Sequence, residues 1–245
     1  LGHSRNSALS DGRTWLLDQQ VAHCTRYLLA ALPPGGAPVL LVGHSIGAHI
    51  ALQALTSNPE AVRGVVGLYP FLTLNAQSRT QALLAVLVRL RPLVWLVAHV
   101  AAFVAALPTA WRLSLLRRPL RALLGLSDEA AQVTADWLRA DSVRNTCHLG
   151  ASEFQALTPP PDWASFRAFG NRMRLYYGPE DDIWAPEPHA AEAARQGLSV
   201  VRDPTVGHMF CVTRRGCEHV AAATAAMLRP MLAVAVERGR SKRES

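Results

Sequence analysis

Apolar positions change their spacing several times along the chain. From Trp15 to Leu32 they recur as Leu17, Val21, Cys24 and Leu28, one face of a helix, and Pro33-Pro34-Gly35-Gly36 ends it. Pro38 to Val42 (Pro-Val-Leu-Leu-Val) is a continuous apolar run of residues that suit a buried strand. Ala48 to Leu55 returns to helical spacing with no breaker, and Asn58-Pro59 stops it. Val62 to Leu68 predicts a second buried strand, closed by Tyr69-Pro70. Helix, strand, helix, strand with short connections predicts a parallel sheet covered on both faces, an α/β fold.

That rhythm stops after Pro70. From Phe71 to about Gly170 the spacing is helical and no strand is predicted, so residues 71–170 read as a helical cap, a lipid-contacting insertion within one domain spanning 1–245. Between Pro92 and Trp111 no charged residue occurs, while Arg89, Arg91, Arg112, Arg117, Arg118 and Arg121 crowd the flanks. A spanning helix needs about 20 apolar residues. This stretch has prolines near both ends and His99 in its middle, and positive charge on both sides gives no orientation. A helix or helical hairpin lying in a membrane interface fits better, with arginines toward head groups and Trp95 and Trp111 as anchors; an ordinary buried cap helix is the alternative. Ser127-Asp128-Glu129 opens another helix to about Ala140, and Pro159-Pro160-Pro161 closes the insertion. The sheet pattern then resumes: strand Met173–Tyr177, helix 190–195, strand 198–201, and a last helix from about Glu218 to Val236, kinked near Pro230.

Composition changes this picture little. The 245 residues suffice for one sizeable α/β domain, and half of them are apolar. The net charge of +7 suits an anionic membrane surface or a basic enzyme; without zinc-ligand spacing or an RNA-recognition signature, nucleic acid is the least favoured partner. Cys24, Cys147, Cys211 and Cys217 form no C-x-x-C and read as reduced intracellular thiols.

The candidate chemistry lies between the first predicted strand and its helix. Gly43-His44-Ser45-Ile46-Gly47 is a G-x-S-x-G turn, and strand, sharp turn and helix together make it a nucleophile elbow. The serine must occupy a strained turn, where the flanking glycines clear side chains from strand and helix. Helix-start N–H groups, that of Ile46 first, face a developing oxyanion. A serine hydroxyl is too weak an acid to attack an ester unaided, and needs a base oriented by an acid. In the α/β-hydrolase order the acid follows a late strand and the histidine the last one. His208 in Gly-His-Met-Phe fills the second slot. The first holds Asp181 and Asp182, of which Asp182 is preferred, with Glu180 third. His44 packs beside the elbow, His49 sits on its helix, His189 and His219 read as helix-surface residues, and His3 is a candidate for the site's mouth. No metal or organic cofactor is called for.

Gly43–Ala48, Tyr69-Pro70, the arginine-flanked apolar insert, Leu149-Gly150, Tyr176-Tyr177-Gly178 followed by Asp182-Ile183-Trp184-Ala185-Pro186, and Gly207-His208 together resemble the lipid droplet-associated hydrolase family. The likeness covers nearly the whole chain, including Leu17–Val21. It implies the α/β-hydrolase fold, a Ser45–Asp182–His208 triad, and neutral lipid esters such as sterol esters or acylglycerols as substrates. It also implies a place on lipid droplets and the cytosolic face of the endoplasmic reticulum. The family's earlier strand and Asn-Pro-Gly turn, which would supply the second oxyanion donor, are absent from this sequence, so N-terminal strands are expected to be missing and activity to suffer. A weakly active droplet-surface protein and a soluble acyl thioesterase or acyltransferase are the alternatives.

Overall fold

The computed structural model describes residues 14–33, 36–124, 126–179 and 183–241. Its elements in order are α1 (Leu17–Ala31), β1 (Val39–His44), α2 (Ile46–Ser57), β2 (Val62–Leu68), α3 (Arg79–Leu87), α4 (Arg91–Ala106), α5 (Thr109–Leu124), α6 (Asp128–Trp137), α7 (Ala140–Ala156), α8 (Trp163–Ala168), β3 (Met173–Tyr177), α9 (Glu187–Arg195), β4 (Ser199–Arg202) and α10 (Arg214–Ser241). They fall into two compact units.

The sheet unit comprises, among the described residues, 21–33, 36–75, 159–179, 183–210 and 216–241. Its four strands are parallel in the order β1-β2-β3-β4, with His44 opposite Leu68 and Leu68 opposite Tyr176. From Gly64 to Leu68 every residue of β2 is buried. Successive strand residues face opposite ways, so both faces of β2 are covered. The glycines show by what: a Cβ on Gly67 would meet Ala48 Cβ of α2 at 3.3 Å, and one on Gly64 would meet Met231 Cε of α10 at 3.0 Å. Around β2 the core gathers Leu52, Leu55, Tyr69, Tyr176, Val220 and Met227.

The helical unit comprises residues 14–20, 76–124, 126–158 and 211–215. Within it α4 lays Ala98, Ala101 and Val104 inward, the first two clustering with Val143 of α7. Small residues at that seam let the two backbones approach. The first turn of α1 is held by α7, whose Asn145 Oδ1 accepts from the Trp15 N–H at 2.9 Å and Ser152 Oγ from the Leu17 N–H at 3.0 Å. Ser127 caps α6 as expected, its side chain accepting from the Ala130 N–H. The helix stops at Trp137 rather than near Ala140, where α7 begins.

The apolar run 92–111 is not one helix. Leu107 and Pro108 part α4 from α5, because proline lacks the N–H that would continue the ladder. Sixteen residues of α4 rise about 24 Å, short of a hydrocarbon core. Among the described residues no single helix is long and apolar enough to cross a membrane; α3 and α4 reach that composition only as a pair bent by 82°. Nor do all the flanking arginines face outward. Arg112 is largely buried and pairs with Asp136 at 2.8 Å; Arg117, though exposed, pairs with Asp128 at 2.6 Å, and Arg89, Arg91 and Arg118 are exposed.

Candidate active site

Strand β1 runs two residues past the predicted Val42 and delivers the chain directly into the elbow. The Ser45 N–H donates to Leu68 O at 2.9 Å, which ties the turn to the end of β2, and Ser45 O accepts from the N–H groups of Ala48 (3.0 Å) and Phe71 (3.3 Å). Between these anchors Ser45 takes φ +56°, a region normally left to glycine. Holding an L-residue there costs about 1–3 kcal/mol, which the surrounding fold offsets. The Ser45 side chain makes no capping bond to α2, so its hydroxyl is not tied up at the helix start. Ile46, the first residue of α2, carries one of the N–H groups that a helix cannot satisfy internally.

The two elbow glycines are not equivalent. A Cβ on Gly43 would lie 2.3 Å from Gly47 O and 2.5 Å from Gly47 C, backbone atoms that cannot yield. On Gly47 it would meet nothing within 4 Å among the described residues. Steric clearance therefore accounts for Gly43 alone.

His208 lies beside the elbow. His44 Nε2 is 3.1 Å from the His208 carbonyl oxygen, and the two imidazoles are 4.9 Å apart between centroids. Below them Tyr69, fully buried and at φ +46°, is the second strained residue. Its N–H donates to Tyr176 O (2.7 Å) and its hydroxyl to Val206 O (2.5 Å). Its ring stacks on Phe210 at 5.5 Å and meets His208 edge-on at 5.5 Å. Gly178 makes room for that ring: a Cβ there would sit 2.4 Å from Tyr69 Cε1.

The acid candidates Glu180, Asp181 and Asp182 lie outside the described residues, as does His3. Downstream of them, Trp184 packs on Phe71 at 5.2 Å and reaches His208 at 6.4 Å between ring centroids. The segment that follows the acid candidates thus lies beside the histidine.

Also in the sheet unit is a cavity of about 320 Å³ lined by Leu72, Thr73, Trp163, Tyr177, His189 and Glu192 together with Pro160 and Pro161. It begins one residue beyond Phe71, whose N–H is bonded to Ser45. His189 is half-buried against it rather than on an open helix surface; burial lowers its pKa, and its Nδ1 has no hydrogen-bond partner among the described residues. His49 on α2 is likewise held below the ordinary imidazole value by burial. Both are neutral at pH 7. Among the described residues no group of histidine, cysteine and carboxylate side chains is arranged to hold a metal ion.

A family model described as lipid-droplet associated hydrolase matches residues 1–219. The chain belongs to that family. A search of curated proteins finds no significant match. Among solved structures, a carboxylesterase of the thaumarchaeon Nitrososphaera gargenis is similar with TM-score 0.64 and 13% identity, over 95% of this chain and 78% of the other. A lipase-esterase related protein of Clostridium acetobutylicum gives 0.55 and 12% over 86% and 75%. A thermophilic esterase of Thermogutta terrifontis gives 0.51 and 13% over 89% and 74%. At these identities the likeness speaks for the fold, which is that of the α/β-hydrolases. Membership in the droplet-associated hydrolase family makes the chain a hydrolase of the esterase type.

Sequence reasoning missed how His208 is held. Tyr69-Pro70 read only as the stop of a strand, and His219, which does lie on a helix surface as expected, gave no sign of its bond to Asp203. A residue before proline is normally extended, so nothing local announces the positive φ of Tyr69. Its hydroxyl reaches a carbonyl 137 residues away.

Proposed function

We propose that the chain hydrolyses carboxylic esters of lipids, sterol esters or acylglycerols, at the surface of lipid droplets and on the cytosolic face of the endoplasmic reticulum. Ser45 attacks the acyl carbonyl, His208 takes its proton and returns it to the leaving alcohol, and Asp182 orients His208. The Ile46 N–H stabilises the oxyanion, and water then releases the acid. No metal or organic cofactor enters. The observation that carries this reading is the strained Ser45 at φ +56°, with His208 held against its neighbour His44. The 320 Å³ cavity that starts beyond Phe71 is of a size to take part of a lipid ester.

Contact with the lipid surface is assigned to Pro92–Trp111 and the helix before it, within the cap insertion 71–170. What supports it is exposure: Trp95, Val100, Phe103 and Trp111 stand 60, 55, 68 and 69% exposed, beside Leu83 and Val86 of α3 at 58 and 55%. Apolar surface on this scale marks an interaction face, and exposed Arg89, Arg91 and Arg118 suit anionic head groups.

The test is release of fatty acid from emulsified sterol ester and acylglycerol by the purified chain, alongside Ser45→Ala and a soluble short-chain ester. The reading expects both activities in the native chain and neither in the variant. The same exposed face also fits a surface protein whose catalysis is incidental. Flotation of Ser45→Ala with droplets, combined with negligible turnover by the native chain, would favour that second reading. Failure to float would leave the soluble thioesterase or acyltransferase.

A further inference from the structure

The loop that carries His208 runs only from Asp203, after β4, to the histidine itself, and it is fastened at its start, middle and end. The Asp203 N–H donates to Tyr177 O at 2.9 Å. The Asp203 carboxylate accepts four hydrogen bonds: from Tyr176 Oη (2.8 Å), the Thr205 N–H (2.9 Å), Thr205 Oγ1 (2.5 Å) and His219 Nε2 (2.5 Å). That number matches the lone-pair capacity of a carboxylate. In the middle Val206 O accepts from Tyr69 Oη, and at the end His208 O lies against His44 Nε2. Strand β3, the turn after β2, the elbow and helix α10 thus all hold one short loop.

We propose that Asp203, Thr205 and His219 form a second carboxylate–imidazole pair, separate from the catalytic one, that positions His208 for proton transfer by fixing the loop between β4 and α10. The proposal rests on reading Ser45 and His208 as nucleophile and base. His219 contributes from α10, eleven residues beyond His208, and its Nε2 also lies 3.3 Å from Thr205 Oγ1. With Nε2–H as donor, the threonine hydroxyl accepts from the imidazole while it donates to Asp203 Oδ1. Either the neutral Nε2–H tautomer or the imidazolium serves, so the device needs no titration. Burial pushes the Asp203 carboxyl upward, but hydrogen bonds from the Thr205 side chain, His219, the Thr205 N–H and Tyr176 outweigh it and hold the group well below the usual carboxylate range. Asp203 is therefore a fixed anion wherever an imidazole base works.

The side chains of His219 and Asp203 are 41% and 20% exposed, and an ion pair that open contributes little to global stability. What it supplies is placement, and misplacing a catalytic group by about 1 Å costs about a hundredfold in rate. Rate and stability should therefore part company. Gln at position 219 keeps an N–H donor for Asp203; Leu removes it.

The purified full chain and its His219→Leu, His219→Gln and Thr205→Val variants are assayed for the rate of fluorophosphonate labelling, with the labelled residue mapped by mass spectrometry. kcat and KM on a p-nitrophenyl ester and the thermal midpoint are measured alongside. His219→Leu is expected to lower kcat and labelling rate by about tenfold to a hundredfold, with KM within about twofold and an almost unchanged melt. His219→Gln should recover most of the loss, and Thr205→Val should fall between. Labelling of His219→Leu at the native rate, or a loss only in proportion to unfolded protein, overturns the proposal while the triad stands. If His219→Leu does not fold, native rates in Thr205→Val overturn it equally. A label in the native chain at a residue other than Ser45 overturns the triad and the proposal together.

Discussion

The sheet unit and the helical unit treat large apolar side chains in opposite ways. In the first, Tyr69, Tyr176, Leu52 and Leu55 are wholly or almost wholly buried around β2. In the second, Trp95, Phe103 and Trp111 stand mostly in solvent, and what α4 buries is Ala98, Ala101 and Val104. A dense core is what can hold a serine and a tyrosine at positive φ, since strain persists only where neighbours over-determine the backbone. A helix that packs with its small residues and displays its large ones is arranged to meet something outside itself. On the proposed reading, chemistry belongs to the sheet unit and surface contact to the helical unit, and each half can be broken separately.

The largest expected effect is on chemistry. Ser45→Ala should reduce ester turnover to below about one part in 10⁴ of native, measured on a soluble ester. It should leave vesicle or droplet binding intact, because the face proposed to bind is formed by other residues. Next comes the elbow's scaffold. Gly43→Ala sets a Cβ 2.3 Å from the Gly47 carbonyl oxygen, and should destabilise the sheet unit by about 3 kcal/mol or more in denaturant titration. The same change at Gly47 meets no described atom and should cost far less.

Surface contact is broken by Phe103→Asp or Trp95→Asp. Each removes an aromatic side chain worth about 2–3 kcal/mol on burial, so partition onto anionic vesicles should fall about 30-fold to about 160-fold, read by flotation. Turnover of a soluble ester should stay within about twofold; a parallel loss of both would mean that the units are not divided in this way.

The smallest effect concerns the helical unit's own stability. Burial raises the Glu153 carboxyl on α7 to about 7. A carboxyl raised on folding contributes stability in full below its ordinary value near 4.5, and loses that contribution as pH climbs through the folded value. Glu153→Gln should therefore be more stable than native at pH 8, with the advantage vanishing near pH 4. The thermal midpoint across that range measures it.

The legible part of the site was what local pattern dictates. Val39 to Ser57 announced strand, turn and helix because each has its own period and the glycines mark the bend. The place of His208 beside the elbow was legible by its order after the last strand, since the fold fixes which loops meet. Tyr69 and the Asp203–His219 pair were not, because their partners are brought close only by the completed sheet. The gap between α6 and α7 at Leu138-Arg139 contains neither glycine nor proline, so the period alone ran the first helix too far. Arg112 and Arg117 read as free flanking charge, yet Asp136 and Asp128 are committed to them by a fold the pattern does not encode.

The most direct measurement is peptide mapping of the adduct formed by a fluorophosphonate probe on the native chain, compared with His208→Ala. A single adduct on Ser45 is expected, its rate of formation falling at least about a thousandfold in the variant. An adduct on another residue, or one on Ser45 that forms equally fast without His208, would contradict that expectation.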